Sequence, residues 1–185
     1  MSNIIIVDKS YMDSDSLNKV VSYILYGKHS YSKDNILYNS PNVEWGGIGI
    51  NLLNPALAVK SFQQIKSIYH KENGNQLHHF IISLCKVDDW GFAIPVNNDE
   101  TNMWLNLLLN DLCDYVNQNG FQLLFGIHRN TDKLHIHCVM NSINYSTGLR
   151  LNNRQGFYET MYQILKSQII GWQWKGVVYN DYKYE

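Results

Sequence analysis

A strict two-residue alternation in residues 134–141 constrains the fold of this chain more than any other feature. The odd positions are mostly polar: His135, His137, Val139 and Asn141. The even positions are all apolar: Leu134, Ile136, Cys138 and Met140. Because side chains of a β-strand alternate between faces, this pattern predicts a strand with one face on a core. Residues 121–128 predict a strand as well, and the polar residues 129–133 predict the turn of a hairpin.

The predicted hairpin brings three histidines together. His135 and His137 share one strand face, roughly 6.6 Å apart along the strand, and His128 ends the partner strand. Three neutral imidazoles on a rigid sheet can hold a divalent ion and leave positions open for a substrate. A His-x-His pair alone is weak evidence, since single strand histidines are usually just partly buried. A histidine-triad nucleotide hydrolase has a third histidine two residues after the pair, and this chain has Val139 at that position.

The remaining segments predict helices and strands without regular βαβ alternation. Asn54 and Pro55 have the types expected at a helix start, an N-cap followed by proline at the first helical position. The other predicted elements are strands 3–8, 77–84 and 175–179, helices 13–26, 99–119 and 155–170, and a polar, glycine-rich loop 28–50. We therefore expect an α+β fold of one domain over residues 1–185, with a central, largely antiparallel sheet flanked by helices.

Composition narrows the function classes. The 185 residues are 45% apolar and 17% charged, which is typical of a globular protein. Because no apolar run approaches the roughly 18 to 20 residues that span a bilayer, we expect no membrane insertion. The N-terminus lacks the features of a signal peptide, and the odd number of cysteines, three, suits a reducing cytosol. The net charge of −1 argues against a strongly basic nucleic-acid coat, but it leaves room for a nuclease with local basic residues.

The pattern His128-x6-His135-x-His137-x3-Asn141 resembles the third motif of relaxases, the mobilisation nucleases of the HUH endonuclease class. Residues 55–84, with the turn 68–74 and the strand 77–84, are also similar to this family as it occurs in Gram-positive mobile elements. So are residues 144–149 and the helix that begins near Gln155. Residues 20–24 resemble, less specifically, the motif that carries the nucleophilic tyrosine. The resemblance covers about residues 17–170.

The resemblance implies a palm-like fold and a metal-dependent, site- and strand-specific nicking of DNA at a transfer origin. Tyr23 would attack the scissile phosphate and form a 5′-phosphotyrosyl intermediate that is later religated, and Tyr26 is the alternative nucleophile. The ordinary alternative for Tyr23 is an aromatic side chain packed against its own helix's neighbours. His128, His135 and His137 would bind Mn²⁺ or Mg²⁺. The implied partners are single-stranded or hairpin DNA, accessory relaxosome proteins and a coupling protein, in the bacterial cytoplasm.

The chain departs from the family pattern near the first histidine. The acidic residue usual two positions after it is Asn130 here, so either Asp132 substitutes in orienting a ligand or the site is weakened. Asn141 would hold either the strand or the phosphate. His78 and His79 point to opposite faces of their strand, and both are left outside the predicted site.

Basic side chains are the candidate DNA contacts, with a solvated surface charge as the ordinary alternative for each. These candidates are Lys28, Lys33, Arg129, Arg150 and Arg154.

Three other functions remain open on the sequence. A rolling-circle replication initiator would share the chemistry, and a catalytically impaired descendant of a relaxase would only bind DNA. An unrelated three-histidine hydrolase would act on small substrates. The 185 residues would correspond either to a minimal stand-alone relaxase or to the nuclease domain of a larger one.

Overall fold

The computed structural model describes residues 2–7, 9–27, 36–84, 86–87, 93–94, 99–129, 134–168 and 173–180. Four helices are described within these ranges: α1 (Ser16–Tyr26), α2 (Pro55–Ile68), α3 (Asp99–Gln118) and α4 (Arg154–Gln168). The strands described are β1 (Ser2–Val7), β2 (Glu44–Ile48), β3 (Leu77–Leu84), β4 (Lys86–Val87), β5 (Ala93–Ile94), β6 (Leu123–His128), β7 (Leu134–Asn141) and β8 (Trp174–Asn180).

Six strands form one sheet in the order β2-β6-β7-β3-β1-β8, and β4 pairs with β5 separately. Every pairing in the large sheet is antiparallel except that of β1 with β8. The prediction of an α+β fold with a largely antiparallel sheet is therefore confirmed. No described helix is both long enough and apolar enough to span a bilayer.

One face of the sheet packs against α3 and α4. Ile136, Cys138 and Met140 of β7 are fully buried in this layer, with residues such as Leu108 and Tyr158 from the two helices. The even-numbered side of residues 134–141 therefore faces a core, as the alternation predicts.

The opposite face is covered in part by α1 and α2. Leu124 and Val139 of the sheet pack with Val21 of α1 and Phe62 of α2 in a second apolar cluster. Helix α2 starts as predicted, because the side chain of Asn54 accepts a hydrogen bond from the backbone N–H of Leu57 at 2.9 Å. The histidines of β6 and β7 share this second face, toward the end of α1.

The prediction of a loop over residues 28–50 is wrong for its last part, which contains the edge strand β2. Its Trp-Gly-Gly sequence shows no alternation, and the two glycines have low strand propensity, so the sequence does not indicate a strand. The two glycines are needed for packing. A Cβ on Gly47 would lie 2.1 Å from the carbonyl oxygen of Leu123, and one on Gly46 would lie 2.8 Å from the ring of Phe125.

Helix boundaries also move slightly. Helix α1 begins at Ser16, three residues after the predicted start, because a turn at residues 13–15 precedes it. Helix α4 begins one residue earlier than predicted, at Arg154, and ends at Gln168.

Candidate active site

The hairpin register places three histidines on one face of the sheet. His128 of β6 lies opposite His135 of β7, and His137 lies opposite Gly126. The rings of His128 and His137 have centroids 4.5 Å apart. His137 is 8% exposed, whereas His128 and His135 are half-buried. The spatial grouping predicted from the sequence is thus present in the fold.

Helix α1 approaches this group closely because residue 126 has no side chain. A Cβ on Gly126 would lie 2.7 Å from Cγ2 of Ile24 and 3.2 Å from Cδ2 of Leu25. The close approach places the carbonyl oxygen of Ile24 2.7 Å from Nε2 of His128. Since a carbonyl only accepts, His128 carries a proton on Nε2 and leaves Nδ1 for other partners.

Tyr23 is the helix residue that faces His137. The two rings meet edge to face, with centroids 6.0 Å apart and an interplanar angle of 81°. The hydroxyl of Tyr26 instead donates a hydrogen bond to the carbonyl oxygen of Asn39 at 2.8 Å, and burial raises its pKa. The structure therefore brings Tyr23, the first of the two predicted tyrosines, next to the histidines.

Two residues that sequence reasoning left out form a hydrogen-bonded chain behind His137. The hydroxyl oxygen of Tyr11 lies 3.2 Å from Nδ1 of His79, and Nε2 of His79 lies 3.4 Å from Nδ1 of His137. Tyr11 is held in turn by Asn75, whose side-chain oxygen accepts from its backbone N–H at 3.0 Å. The alternation of β3 could have selected His79 over His78, since only one of them shares the face of His137. Tyr11 lies in an irregular segment, where no periodicity marks it.

The hydrogen bonds that link Tyr11, His79 and His137 restrict how His137 can act. Burial lowers the pKa of His79 to about 3, and burial with the neighbouring histidines lowers the pKa of His137 to about 2. Both rings are therefore neutral at pH 7, and each has one donor and one acceptor nitrogen. Whichever way the protons are arranged, Nδ1 of His137 is used by His79, so Nε2 is the nitrogen left for the site.

The three histidines do not form a metal-binding group as they are arranged. Among the described residues there is no set of three or more His, Cys, Asp or Glu side chains that could hold an ion. Each of the two rings bonded here keeps its other nitrogen, Nδ1 of His128 and Nε2 of His137. A hydrogen bond on one ring nitrogen is usual for a metal-bound histidine, so the imidazoles have suitable chemistry for a divalent ion although the described residues are not arranged as a site of three ligands.

Asn141 lies at the far end of β7 and is fully buried. Its side-chain amide donates to Gln122 Oε1 at 2.8 Å and to the carbonyl oxygen of Phe62 at 3.2 Å. Its side-chain oxygen accepts from the backbone N–H of Ile143. The sequence left two roles for Asn141, to hold the strand or to hold the phosphate, and these contacts favour the first.

The predicted DNA contacts separate into two places. Arg129 lines a cleft of about 540 Å³ beside His128, between the end of α1 and strands β2 and β6, and it pairs with Glu44 at 3.2 Å. Arg150 and Arg154 line a different cavity at the other end of β3. Lys28, Lys33, Asn130 and Asp132 lie outside the described residues.

An antiparallel sheet with a helix tyrosine against a strand histidine cluster is an arrangement suited to a phosphodiester-cleaving enzyme. The family model described as "Relaxase: MobA/VirD2-like, nuclease domain" matches residues 38–169, which is more than half of the chain. The chain therefore belongs to the relaxases, and membership implies a nuclease that acts on DNA in mobilisation. Searches of curated proteins and of solved structures found no match.

The family match includes all three predicted histidines and His79. It begins after α1, so Tyr23 and Tyr26 lie before the matched residues. The choice of nucleophile therefore depends on the geometry of this chain.

Proposed function

We propose that the protein nicks one strand of DNA at a transfer origin and rejoins it, with Tyr23 as the nucleophile. The observation that carries this proposal is the edge-to-face contact of Tyr23 with His137, at 6.0 Å between centroids. It supports Tyr23 over Tyr26, whose hydroxyl donates to a backbone carbonyl 13 residues away in sequence.

The reaction is a transesterification. The Tyr23 oxygen attacks phosphorus and loses its proton, the bond from phosphorus to the 3′ oxygen breaks, and that oxygen leaves as a 3′-hydroxyl after gaining a proton. The DNA is left joined to the enzyme through a 5′-phosphotyrosine. The reverse attack by a 3′-hydroxyl restores the strand, so religation needs no nucleotide cofactor.

The nucleophilic tyrosine must lose its proton in this reaction. A free tyrosine has a pKa of about 10, so its hydroxyl needs an acceptor or nearby positive charge to attack at pH 7. The ring of His137 meets that of Tyr23 and is neutral, because burial and the neighbouring histidines lower its pKa to about 2, so we propose that it orients the hydroxyl and does not itself take up the proton.

Relaxases generally use a divalent metal ion, and we propose that Mn²⁺ or Mg²⁺ supports the reaction here. Imidazole ligands suit Mn²⁺ better than Mg²⁺. Because the described histidines do not form a site for an ion, metal dependence is tested separately. Nicking should be lost in EDTA and restored by Mn²⁺. Full activity in EDTA would contradict the metal requirement without removing the role of Tyr23.

The cleft beside His128 is our proposed path for the DNA strand next to the nick. Its walls combine apolar side chains with His128 and with the Arg129–Glu44 pair, and we propose that the apolar part takes a base while Arg129 exchanges its bond with Glu44 for one with the adjoining phosphate. The substrate would be a single strand or a hairpin with an adjacent single strand, in the bacterial cytoplasm. Accessory relaxosome proteins and a coupling protein are the proposed partners.

One observation favours a second candidate function, a relaxase-derived protein that binds DNA without cutting it. The three histidines lack a metal-holding arrangement among the described residues, and the family's usual acid is Asn130 here. Such a protein would retain DNA affinity and form no covalent adduct.

Labelled single-stranded oligonucleotides that tile the DNA around the gene test the proposal. With Mn²⁺ and purified protein, one tile should give a shortened strand and a band of protein-linked DNA on a denaturing gel. Gel-shift binding on the same tiles without any adduct would favour the binding-only candidate.

A further inference from the structure

A second cavity, separate from the cleft beside His128, lies where the start of β3 meets the end of β7 and the start of α4. It has a volume of about 290 Å³, which is enough for a ligand larger than a single water. We call it the Arg150 cavity. Its lining residues are Lys9, Ser10, Asn75, His78, Ser142, Arg150, Leu151 and Arg154, and none of them lines the cleft beside His128.

The described lining is cationic. It contains Lys9, Arg150 and Arg154 and no carboxylate, although the whole chain has a net charge of −1. Positive charge is therefore concentrated at this cavity. The first turn of α4 adds to it, because Arg154 is the first residue of a 15-residue helix whose amino end carries a partial positive charge.

Arg150 is fixed as part of the cavity wall. Its guanidinium donates to the carbonyl oxygens of Asn73 and Asn75 and, at 3.3 Å, to the hydroxyl of Ser142. These acceptors are neutral, so they orient the group without cancelling its charge. Lys9 is exposed, with Nζ 5.7 Å from the ring centroid of Tyr11, and its flexible side chain can reach a ligand.

His78 is the histidine of the cavity wall. It is 8% exposed, and the surface that it keeps lies in the lining of the Arg150 cavity. Burial and the charges of Arg154 and Arg150 lower its pKa to about 4, so the cavity wall itself disfavours positive charge on this ring. A bound anion would accept a hydrogen bond from this ring and reverse that effect.

We propose that the Arg150 cavity binds one phosphodiester group of the DNA, as an anchor distant from the nicking chemistry. Two arginines and a lysine are the side chains that proteins use for phosphate oxygens, and His78 adds an N–H donor. This inference rests on the proposed DNA-processing function for its choice of ligand. The binding of a phosphate oxyanion can be measured without any cleavage.

The first arm of the test uses inorganic phosphate and NMR of histidine ring signals in the Tyr23→Phe protein, which cannot form an adduct by the proposed route. The His78 signals, assigned with His78→Asn, should shift with saturation as phosphate is added. The Lys9→Gln/Arg154→Gln protein should lose the saturable shift. The matched control is Lys60→Gln/Lys166→Gln, which removes two exposed lysines and should keep it.

The second arm measures binding of a labelled single-stranded oligonucleotide across a range of salt concentrations. Losing one phosphate contact should reduce the salt slope by about 0.7 and weaken binding several-fold at low salt in Lys9→Gln/Arg154→Gln. The control pair should leave the slope unchanged. Lys9→Gln alone, at an exposed position, provides the same comparison if the double variant does not fold.

Each outcome decides a separate point. No saturable shift of His78 would overturn the phosphate site. A shift without any change in the DNA salt slope would show that the anion is a free phosphate and overturn the DNA assignment. The absence of nicking in the wild type would affect neither arm, so failure of the proposed function would be recognised independently.

Discussion

The hydroxyl of Tyr11 lies within hydrogen-bond distance of His79, 68 positions later in the sequence, with 3.2 Å between the oxygen and Nδ1. Nε2 of His79 lies in turn 3.4 Å from Nδ1 of His137, so the orientation of His79 limits that of His137. Burial raises the pKa of Tyr11, so its hydroxyl remains a neutral phenol across the working range of pH. Tyr11 and His79 therefore act as positioning residues for the ring that meets Tyr23.

Tyr11→Phe should reduce the rate of nicking about tenfold while leaving the KM for the oligonucleotide nearly unchanged. The variant keeps the packed ring and removes only the hydroxyl that orients His79. Single-turnover kinetics with saturating and limiting DNA separate the two constants. The free energy of unfolding should fall by about 1–3 kcal/mol, because the buried Nδ1 of His79 loses its hydrogen bond with the Tyr11 hydroxyl.

Tyr158→Phe is the matched control for that variant. Tyr158 is fully buried on the opposite face of the sheet, and its hydroxyl has no hydrogen-bond partner among the residues that the structure describes. Its removal should leave both stability and nicking close to wild type. Equal losses of activity in the two variants would show that Tyr11 has no specific connection to the site.

Gly126→Ala should impair nicking by separating α1 from the sheet. The added methyl group would meet Ile24 at 2.7 Å and Leu25 at 3.2 Å, at the level where Ile24 also contacts His128. Overpacking of this kind costs about 1–3 kcal/mol, measured by denaturant unfolding. Activity per folded molecule should fall as well, since Tyr23 moves with the helix. Wild-type activity with reduced stability would contradict this geometry.

Asn141→Ala should destabilise the protein by about 1–3 kcal/mol and preserve the activity of the folded fraction. The substitution removes hydrogen bonds to Gln122 and Phe62 inside the core. Unfolding curves give the first quantity, and adduct yield per folded molecule gives the second. A loss of adduct without loss of stability would instead assign Asn141 to the phosphate.

Stability should fall below pH 6.5, in part because of His78. The folded state holds the pKa of this ring at about 4, against 6.5 for an exposed histidine, so the unfolded chain binds more protons between these values. Each pH unit in that window costs up to about 1.4 kcal/mol. His78→Asn should flatten the dependence of unfolding free energy on pH between 4 and 6.5. An unchanged slope would mean that His78 does not remain neutral in the folded protein.

The hairpin shows what the sequence predicts well. The alternation of residues 134–141 gives both the buried face and the grouping of His128, His135 and His137, because period-two patterning determines which side chains share a face. The start of α2 is equally predictable, since Asn54 caps the helix and Pro55 begins it through contacts within one turn.

The parts that sequence reasoning missed depend on long-range packing. Strand β2 is held by pairing with β6, and its glycines are required by contacts with Leu123 and Phe125. The hydrogen bond between Tyr11 and His79 joins an irregular segment to β3, so no periodicity in the sequence indicates it. The distribution of hydrogen bonds around His128 and His137 is likewise visible only in three dimensions, and it decides how the histidines can bind an ion.

The identity of the nucleophile is the point on which the proposed function depends most, and one comparison measures it. Wild-type, Tyr23→Phe and Tyr26→Phe proteins are incubated with the oligonucleotide that the tiling assay identifies, and the protein-linked DNA is digested and mapped by mass spectrometry. We predict an adduct on Tyr23 in the wild type, no adduct in Tyr23→Phe and an adduct near the wild-type yield in Tyr26→Phe. An adduct that persists in Tyr23→Phe would contradict the assignment.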